Sequence, residues 1–282
     1  MCSLKRIRHW FRPRISLRAL LLVVAVFGAL FAYLAMQWRW AKRQEAAVAA
    51  LELAAGGWGF DYRLKNSGPD TDSPKQATWV PVWLHDLLGR HFFENVQSIG
   101  MGNPHLDPSR PKTTDETMQL LEQFPALREF ELLRSDVTDR GVSQLEHCPE
   151  MHHLSFWDNK YITPEAMKSI KKLRRLHTLY LDGVLNSEEG IAHLKELPQL
   201  RELLIGDFRD ESTITNAALR HVGEMKSLQL LRIHSASVTD EGLIHLEGLS
   251  QLKELSLDNT KATPDGVQQL QRALPNCEIK VR

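Results

Sequence analysis

Four side chains that could ligate a metal lie close together near the middle of the chain: His147, Cys148, His152 and His153. Imidazole and thiolate groups are preferred zinc ligands, but this spacing fits none of the standard zinc patterns. The two halves of the cluster also fall on opposite sides of a predicted helix end and strand start. We therefore predict no metal site, and we expect Cys148 and Cys277 to occupy core positions that require a small apolar residue.

Other motifs of catalysis are missing from the sequence. The stretch Gly56-Gly57-Trp58-Gly59 lacks the Lys-Ser/Thr pair of a phosphate-binding loop, and it follows a predicted helix instead of a strand. Neither HExxH nor GxSxG occurs, and the three cysteines contain no CxxC pair. Basic and acidic residues balance at 35 each, which gives no reason to expect a nucleic-acid partner. We predict no catalytic residue, no cofactor and no enzymatic activity.

An apolar segment near the N-terminus has the length of a membrane span. Residues 19–38 carry no charge, and a helix of that length crosses about 30 Å of hydrocarbon. Six cations precede the segment, whereas only three closely follow it, and this bias places the N-terminus in the cytoplasm. The sequence thus predicts a basic cytoplasmic tail (1–18), a transmembrane helix (19–38) and an extracytoplasmic, periplasmic-side remainder.

A cleaved signal peptide is the alternative interpretation of the same segment, and it would give a secreted protein. The apolar run is longer than a typical signal core, and residues 36–40, Met-Gln-Trp-Arg-Trp, offer no small-x-small cleavage site. These two features favour the uncleaved anchor.

Residues 39–92 read as a juxtamembrane helix followed by an N-terminal capping region. Residues 41–55 are rich in strong helix formers, and the alternation of bulky and polar residues over 58–64 indicates a strand. Residues 80–96 carry apolar side chains on one helical face. We expect this last segment to cover the open end of the repeated domain that follows.

The C-terminal part of the chain is an internal repeat. Successive units begin at intervals of 24, 25, 24, 28, 24 and 25 residues, at Leu127, Met151, Leu176, Leu200, Leu228, Leu252 and Cys277. Each full unit opens with an LxxLxL-like strand and continues with a helix whose N-cap is Thr or Ser. We divide residues 93–282 into a degenerate first unit (93–126), six units (127–274) and a terminal half-unit (275–282).

The combination of LxxLxL with VTDxGLxxLxxL resembles the leucine-rich repeats of planctomycete membrane proteins, which are similar to the cysteine-containing class of such repeats. It is clearest in LQLLRIHSASVTDEGLIHLEGL and LREFELLRSDVTDRGVSQLEHC. The resemblance extends over nearly the whole chain, to SLRALLLVV, GGWGFDY and LPNCEIKV. It implies an α/β leucine-rich-repeat solenoid, a horseshoe with parallel strands on the concave side and helices on the convex side. It also implies a membrane or secreted setting, but no defined activity.

The alternation of side chains along each strand predicts a binding face. If positions 4 and 6 of a unit face the core, positions 3, 5 and 7 face the concave surface. We expect an apolar and aromatic patch there, flanked by charged groups: Leu133, Trp157, Tyr180 and Leu204, with Glu131, Arg232 and His234. Exposed aromatic residues with a charged rim are typical of interaction hot spots. Alternatively, Trp157 and Tyr180 only seal the surface of the sheet.

Two functions follow from this architecture. The first is a membrane-anchored module that binds a protein or a surface polymer outside the cytoplasm. The second is a structural envelope component that self-associates or packs on surface polymers, without a discrete ligand.

Overall fold

The computed structural model describes residues 16–54, 60–64, 95–102, 112–184, 187–207 and 214–282. The His and Cys residues considered as metal ligands and the residues that begin the repeat units lie within these ranges. Residues 1–15 of the basic tail, the glycine-rich stretch 56–59 and most of the predicted capping segment 80–96 lie outside them.

Within the described ranges, nine strands form one sheet, and their order in space is their order in the chain. The strands are β1 (Phe60–Leu64), β2 (Val96–Gly102), β3 (Glu129–Leu133), β4 (His153–Trp157), β5 (Thr178–Asp182), β6 (Glu202–Gly206), β7 (Leu230–His234), β8 (Glu254–Asp258) and β9 (Glu278–Val281). β1 pairs with β2 in the antiparallel sense, and the pairs from β2 to β9 are all parallel. The predicted α/β leucine-rich-repeat solenoid is therefore confirmed.

Each unit returns from its strand through a short helix. In the described units these are α2 (Asp115–Met118), α3 (Asp139–Ser143), α4 (Met167–Ile170), α5 (Glu188–Leu194), α6 (Asn216–Val222), α7 (Asp240–Leu243) and α8 (Pro264–Ala273). A long helix, α1 (Leu17–Ala54), precedes the sheet. Short 3₁₀ turns extend α2, α3 and α7 and precede α4. All six predicted hydroxyl residues occupy N-cap positions: Thr138, Thr163, Ser187, Thr215, Thr239 and Thr263. The side chains of Thr138, Thr163, Ser187 and Thr263 accept a capping hydrogen bond, whereas those of Thr215 and Thr239 do not.

The core is a continuous stack of the repeated apolar positions. Position 4 runs in register across six strands, through Phe130, Leu154, Leu179, Leu203, Leu231 and Leu255. All six side chains are buried, as are those of position 6 beside them. Because burying a large apolar side chain contributes roughly 1.5–3 kcal/mol, each unit stabilises its neighbours through this stack.

The long helix α1 has two halves with opposite surroundings. It contains an 18-residue stretch with a mean hydropathy of 2.6, none of which is buried by the rest of the protein. Its second half instead joins the core through Ala47, Val48 and Leu51. The Gln44 side chain also donates a hydrogen bond to the Gln123 carbonyl of the first unit, at 2.9 Å. The end of α1 therefore covers part of the first unit, a role that the sequence assigned to residues 80–96.

A ladder of side-chain hydrogen bonds links the helix starts of successive units. The Asp240 carboxylate, in the first turn of α7, accepts from the Thr263 amide at 2.7 Å and from the Thr263 hydroxyl at 2.6 Å. Asp115 holds Thr138 and Asp139 holds Thr163 in the same way. These bonds keep the pKa of Asp240 below its ordinary value. Their contribution is therefore present above the ordinary carboxyl pKa and is lost as the pH falls through the lower, folded value.

The glycine of the VTDxG motif makes room for this ladder. A Cβ atom at Gly266 would stand 2.1 Å from the Asp240 Oδ1 atom, and one at Gly141 would stand 2.4 Å from the Asp115 Oδ1 atom. The aspartate of one unit and the glycine of the next therefore depend on each other, because the carboxylate fits only where the glycine has no Cβ atom. The two residues are about one repeat apart in the sequence.

A buried asparagine fixes the strand ends of β3 and β4. Asn159 is fully buried, and its Oδ1 atom accepts hydrogen bonds from the amide and the hydroxyl of Ser135. Its amide group donates to the carbonyls of Leu132 and Trp157. Because a buried amide must be satisfied, these four bonds set the exit direction of both strands directly beside Trp157.

We expect Asp240→Ala to lower the free energy of unfolding by about 1 kcal/mol, the usual size of a lost cap interaction. Gly266→Ala should lower it by about 1–3 kcal/mol, because its Cβ meets the Asp240 carboxylate. The double variant should lose less than the sum, since removal of the carboxylate relieves the two closest contacts of the added Cβ, those with the Oδ1 and Cγ atoms of Asp240. Urea unfolding of the wild type, both single variants and the double variant measures this coupling.

Glu241→Ala is the control for this cycle, because Glu241 is an exposed acid in the same first turn. It removes the same charge from the helix N-terminus without touching Thr263, and we expect a change of at most about 0.5 kcal/mol. If the losses in the free energy of unfolding of the two single variants simply add in the double variant, the dependence between Asp240 and Gly266 is contradicted.

Candidate functional site

The concave surface of the sheet consists of three columns of side chains that run across the strands. Position 3 carries Ser98, Glu129, His153, Thr178, Glu202, Leu230, Glu254 and Glu278. Position 5 carries Gly100, Glu131, Ser155, Tyr180, Leu204, Arg232, Ser256 and Lys280. Position 7 carries Gly102, Leu133, Trp157, Asp182, Gly206, His234 and Asp258. The one-for-one register places members of a column on adjacent strands side by side.

The structure brings the predicted aromatic residues together. Trp157 and Tyr180 contact each other edge to face, with ring centroids 6.2 Å apart and an angle of 72° between the planes. Leu133 is paired in register with Trp157, and all three side chains are half-buried. These residues thus form a partly accessible apolar surface on β3, β4 and β5.

The prediction that Leu204 extends this surface is wrong. Leu204 lies in the expected column, but its exposed fraction is only 2%. It is paired in register with Tyr180 on one side and Arg232 on the other, and these two longer side chains flank it. Leu204 therefore supports its neighbours and offers no surface to a partner.

The predicted flanking charges lie on both sides of the aromatic pair. The Glu131 side chain is 62% exposed, and its Oε1 atom lies 3.8 Å from the Nε2 atom of His153. Arg232 and His234 are half-buried on β7, two strands beyond Tyr180. Arg232 is near enough to act on the Tyr180 phenol, where its positive charge favours ionisation.

Two residues of position 3 complete the surroundings of Tyr180, and neither was among the predicted site residues. The Glu202 carboxylate accepts a hydrogen bond from the Tyr180 hydroxyl at 3.2 Å. The His153 ring lies edge to face against Tyr180, with centroids 5.3 Å apart. The same alternation that identified positions 5 and 7 applies to position 3, so this column was accessible from the sequence. Burial, and then the charge and hydrogen bond of Glu202, raise the pKa of Tyr180 above its ordinary value.

Acidic groups outnumber basic ones along the described part of the three columns. The carboxylates are Glu129, Glu131, Asp182, Glu202, Glu254, Asp258 and Glu278, against the cations Arg232 and Lys280. Lys280 already forms ion pairs with Glu254 and Glu278, at 3.1 and 3.4 Å. A chain with no net charge therefore presents an acidic concave face.

An open recess of about 420 Å³ lies over the first strands, and its lining includes His153, the neighbour of Tyr180. It is lined by Ser98, Gly100, Glu129, Glu131, His152, His153, His177 and Thr178. The rings of His152 and His177 stack in parallel on its edge, with centroids 5.2 Å apart. Within the described ranges, no group of His, Cys, Asp or Glu side chains is arranged to hold a metal ion.

The predicted core role of the cysteines is confirmed. Cys148 is fully buried, its thiol points at the Leu121 carbonyl, and burial raises the pKa of this thiol to about 12. Cys277 is also buried. At neutral pH neither group is a thiolate, so neither is prepared for nucleophilic or metal chemistry.

No protein-family model and no curated protein matches this chain. Its fold is similar to internalin C2 from Listeria monocytogenes, with 22% identity and a TM-score of 0.47 over 66% of this chain and 74% of that one. A second Listeria internalin is 19% identical, with a TM-score of 0.42 over 58% and 52%. A leucine-rich-repeat protein from Leptospira interrogans is 19% identical, with a TM-score of 0.37 over 57% and 45%. The chain thus spans only about half of the last two, and these distant likenesses transfer no function.

We expect the pKa of Tyr180 to respond in opposite directions to its two charged neighbours. Glu202→Gln should lower it towards the ordinary phenol value, and Arg232→Gln should raise it further, because each variant removes one charge that acts on the phenol. The difference in phenolate absorbance between each protein and its Tyr180→Phe counterpart measures the titration. Glu241→Gln, on the helical face, should leave the value unchanged, and equal shifts in all three variants would contradict the geometry.

Proposed function

We propose that this protein is a single-pass membrane protein whose leucine-rich-repeat domain binds a protein partner outside the cytoplasm through its concave face. The observation that carries the proposal is the half-buried Trp157–Tyr180 pair, which lies with Leu133 among charged side chains. Aromatic residues with a polar rim are the side chains that dominate binding energy in interfaces. We assign binding to this face and no catalysis.

The membrane anchor is supported by the two halves of α1. Among the described residues, the 18-residue apolar stretch of α1 is not buried, which supports a membrane span or a signal sequence over a core helix. The helix runs without interruption through Trp38 and Trp40 into residues that pack on the first unit. The excess of cations before the span supports a cytoplasmic N-terminus. The resemblance of the repeats to those of planctomycete proteins, in the cysteine-containing class, supports the same setting.

We expect the full-length chain to stay in the membrane fraction after alkaline extraction, with an intact mass that includes residues 19–38. Val26→Arg should reduce retention, because a charge at the centre of a span costs about 2.5–3.5 kcal/mol on insertion scales. External protease should digest the repeat domain in intact spheroplasts. A soluble mature chain that begins near residue 40 would instead identify a cleaved signal.

Partner binding is tested by placing a photoreactive amino acid at His152, on the concave rim, and separately at Glu241, on the helical face. We expect a discrete cross-linked partner from the first position and none from the second. Trp157→Ala with Tyr180→Ala should abolish the cross-link, because truncation of central aromatic side chains removes most of the binding energy.

The unfolding transition of the double variant must match that of the wild type for this comparison to hold. Equal cross-links from both faces would contradict a concave binding site. A series of self-multimers in place of one partner would support the structural envelope component.

A further inference from the structure

The rings of Trp157, Tyr180 and His153 form a cluster on the concave face, which we call the corner. Tyr180 makes edge-to-face contacts with both other rings, with Trp157 at a centroid distance of 6.2 Å and an angle of 72°, and with His153 at 5.3 Å and 83°. Neither contact is a parallel stack, so each contact covers at most one face of one ring. The face of an aromatic ring carries the negative part of its quadrupole and attracts cations.

Carboxylates stand on two sides of this corner. Glu202 accepts from the Tyr180 hydroxyl at 3.2 Å, and Glu131 lies 3.8 Å from the His153 Nε2 atom. The phenol hydrogen bond leaves the second oxygen of Glu202 available for a further donor, and Glu131 is largely exposed. The ring faces and the carboxylates therefore both favour a positively charged group in a ligand.

A buried hydroxyl lies on the same face between these groups. Ser155 is paired in register with Glu131 and Tyr180, and it is only 1% exposed. Its Oγ atom has no hydrogen-bond partner among the residues that the structure describes. A buried polar atom is normally satisfied, so this hydroxyl is left to pair with an N–H donor of a ligand that displaces the side chains around it.

Among the residues that the structure describes, the cations around the corner do not fill it. Arg134 forms an ion pair with Asp158 at 2.9 Å, at the exit of the strands. Arg232 is separated from Tyr180 by Leu204 and only attenuates the negative potential at the phenol. Arg128 and Arg201 precede the strands and lie outside the three columns.

We propose that the corner of Trp157, Tyr180 and His153, with Glu131, Glu202 and Ser155, binds the cationic side chain of an arginine or lysine in a basic segment of the protein partner. This inference rests on the proposed function and specifies the chemistry of the partner. Glu129 and Glu202 belong to the same column of position 3, so a further cation of the segment meets an acidic group on another strand. Glu254 and Glu278 continue this column but already form ion pairs with Lys280.

The test uses the full-length protein in detergent micelles and a short, fluorescent, terminally blocked peptide of alternating arginine and serine. The control peptide replaces every arginine by citrulline, which keeps the shape and most donors but has no charge. We expect fluorescence anisotropy to show binding of the arginine peptide alone, and weaker binding at high salt because ions screen the carboxylates.

Variants assign the binding to the corner. Trp157→Ala should weaken binding of the arginine peptide about tenfold, and Trp157→Phe should retain part of the affinity. Glu202→Gln should weaken it about threefold, and Glu241→Gln, which removes the same charge from the helical face, should not change it. The Phe variant keeps the test valid if alanine disturbs the fold.

The inference is overturned if the citrulline peptide binds equally well, if neither peptide binds, or if Trp157→Ala and Glu241→Gln have the same effect. Failure here and failure of the proposed function are distinguishable. A cross-linked partner that depends on Trp157 and Tyr180, together with indifference to the charge of the peptide, would retain the binding function and remove only its cationic chemistry.

Discussion

Neither the strand nor the helix of a single unit can bury its apolar face alone, and this constraint governs the whole molecule. It is met by placing each unit on the previous one in the same register, so that Phe130, Leu154 and Leu179 form one apolar column. Once that register is set, the other side of every strand is also organised into columns. The concave face is therefore a consequence of core packing, although its own residues contribute little to the core.

The features that depend on local pattern were predictable from the sequence. Hydroxyl residues such as Thr138 and Thr263 cap their helices, and the cysteines occupy small apolar sites. The ladder between Asp240 and Thr263 was not predicted, because its partners are one repeat apart and meet only when the register is known. The same holds for Asn159, whose four bonds extend over two strand ends.

At the candidate site, the alternation of side chains along a strand predicts the face of the sheet on which a residue lies, but not whether that residue is exposed. It assigned Trp157, Tyr180 and Leu204 to one face correctly, yet Leu204 is buried because its register neighbours are larger. Exposure on a concave surface depends on the sizes of side chains on adjacent strands, which no single strand reveals. The charge of the concave face likewise depends on residues from several strands. The chain is neutral as a whole, and the acidity of this face emerges only when residues from successive units are brought together.

The uninterrupted helix α1 has a mechanical consequence for the anchored protein that we propose. Only about 20 Å of helix separates Trp38 from Leu51, which is locked into the first unit. A continuous helix of this length contains no flexible linker, so the tilt of the membrane segment is coupled to the orientation of the repeat domain. The repeat domain would then adopt only a narrow range of orientations relative to the bilayer. Partners that are themselves held at the membrane surface would meet it in a restricted set of directions, and a pull on the horseshoe would be transmitted directly to the lipid-embedded helix.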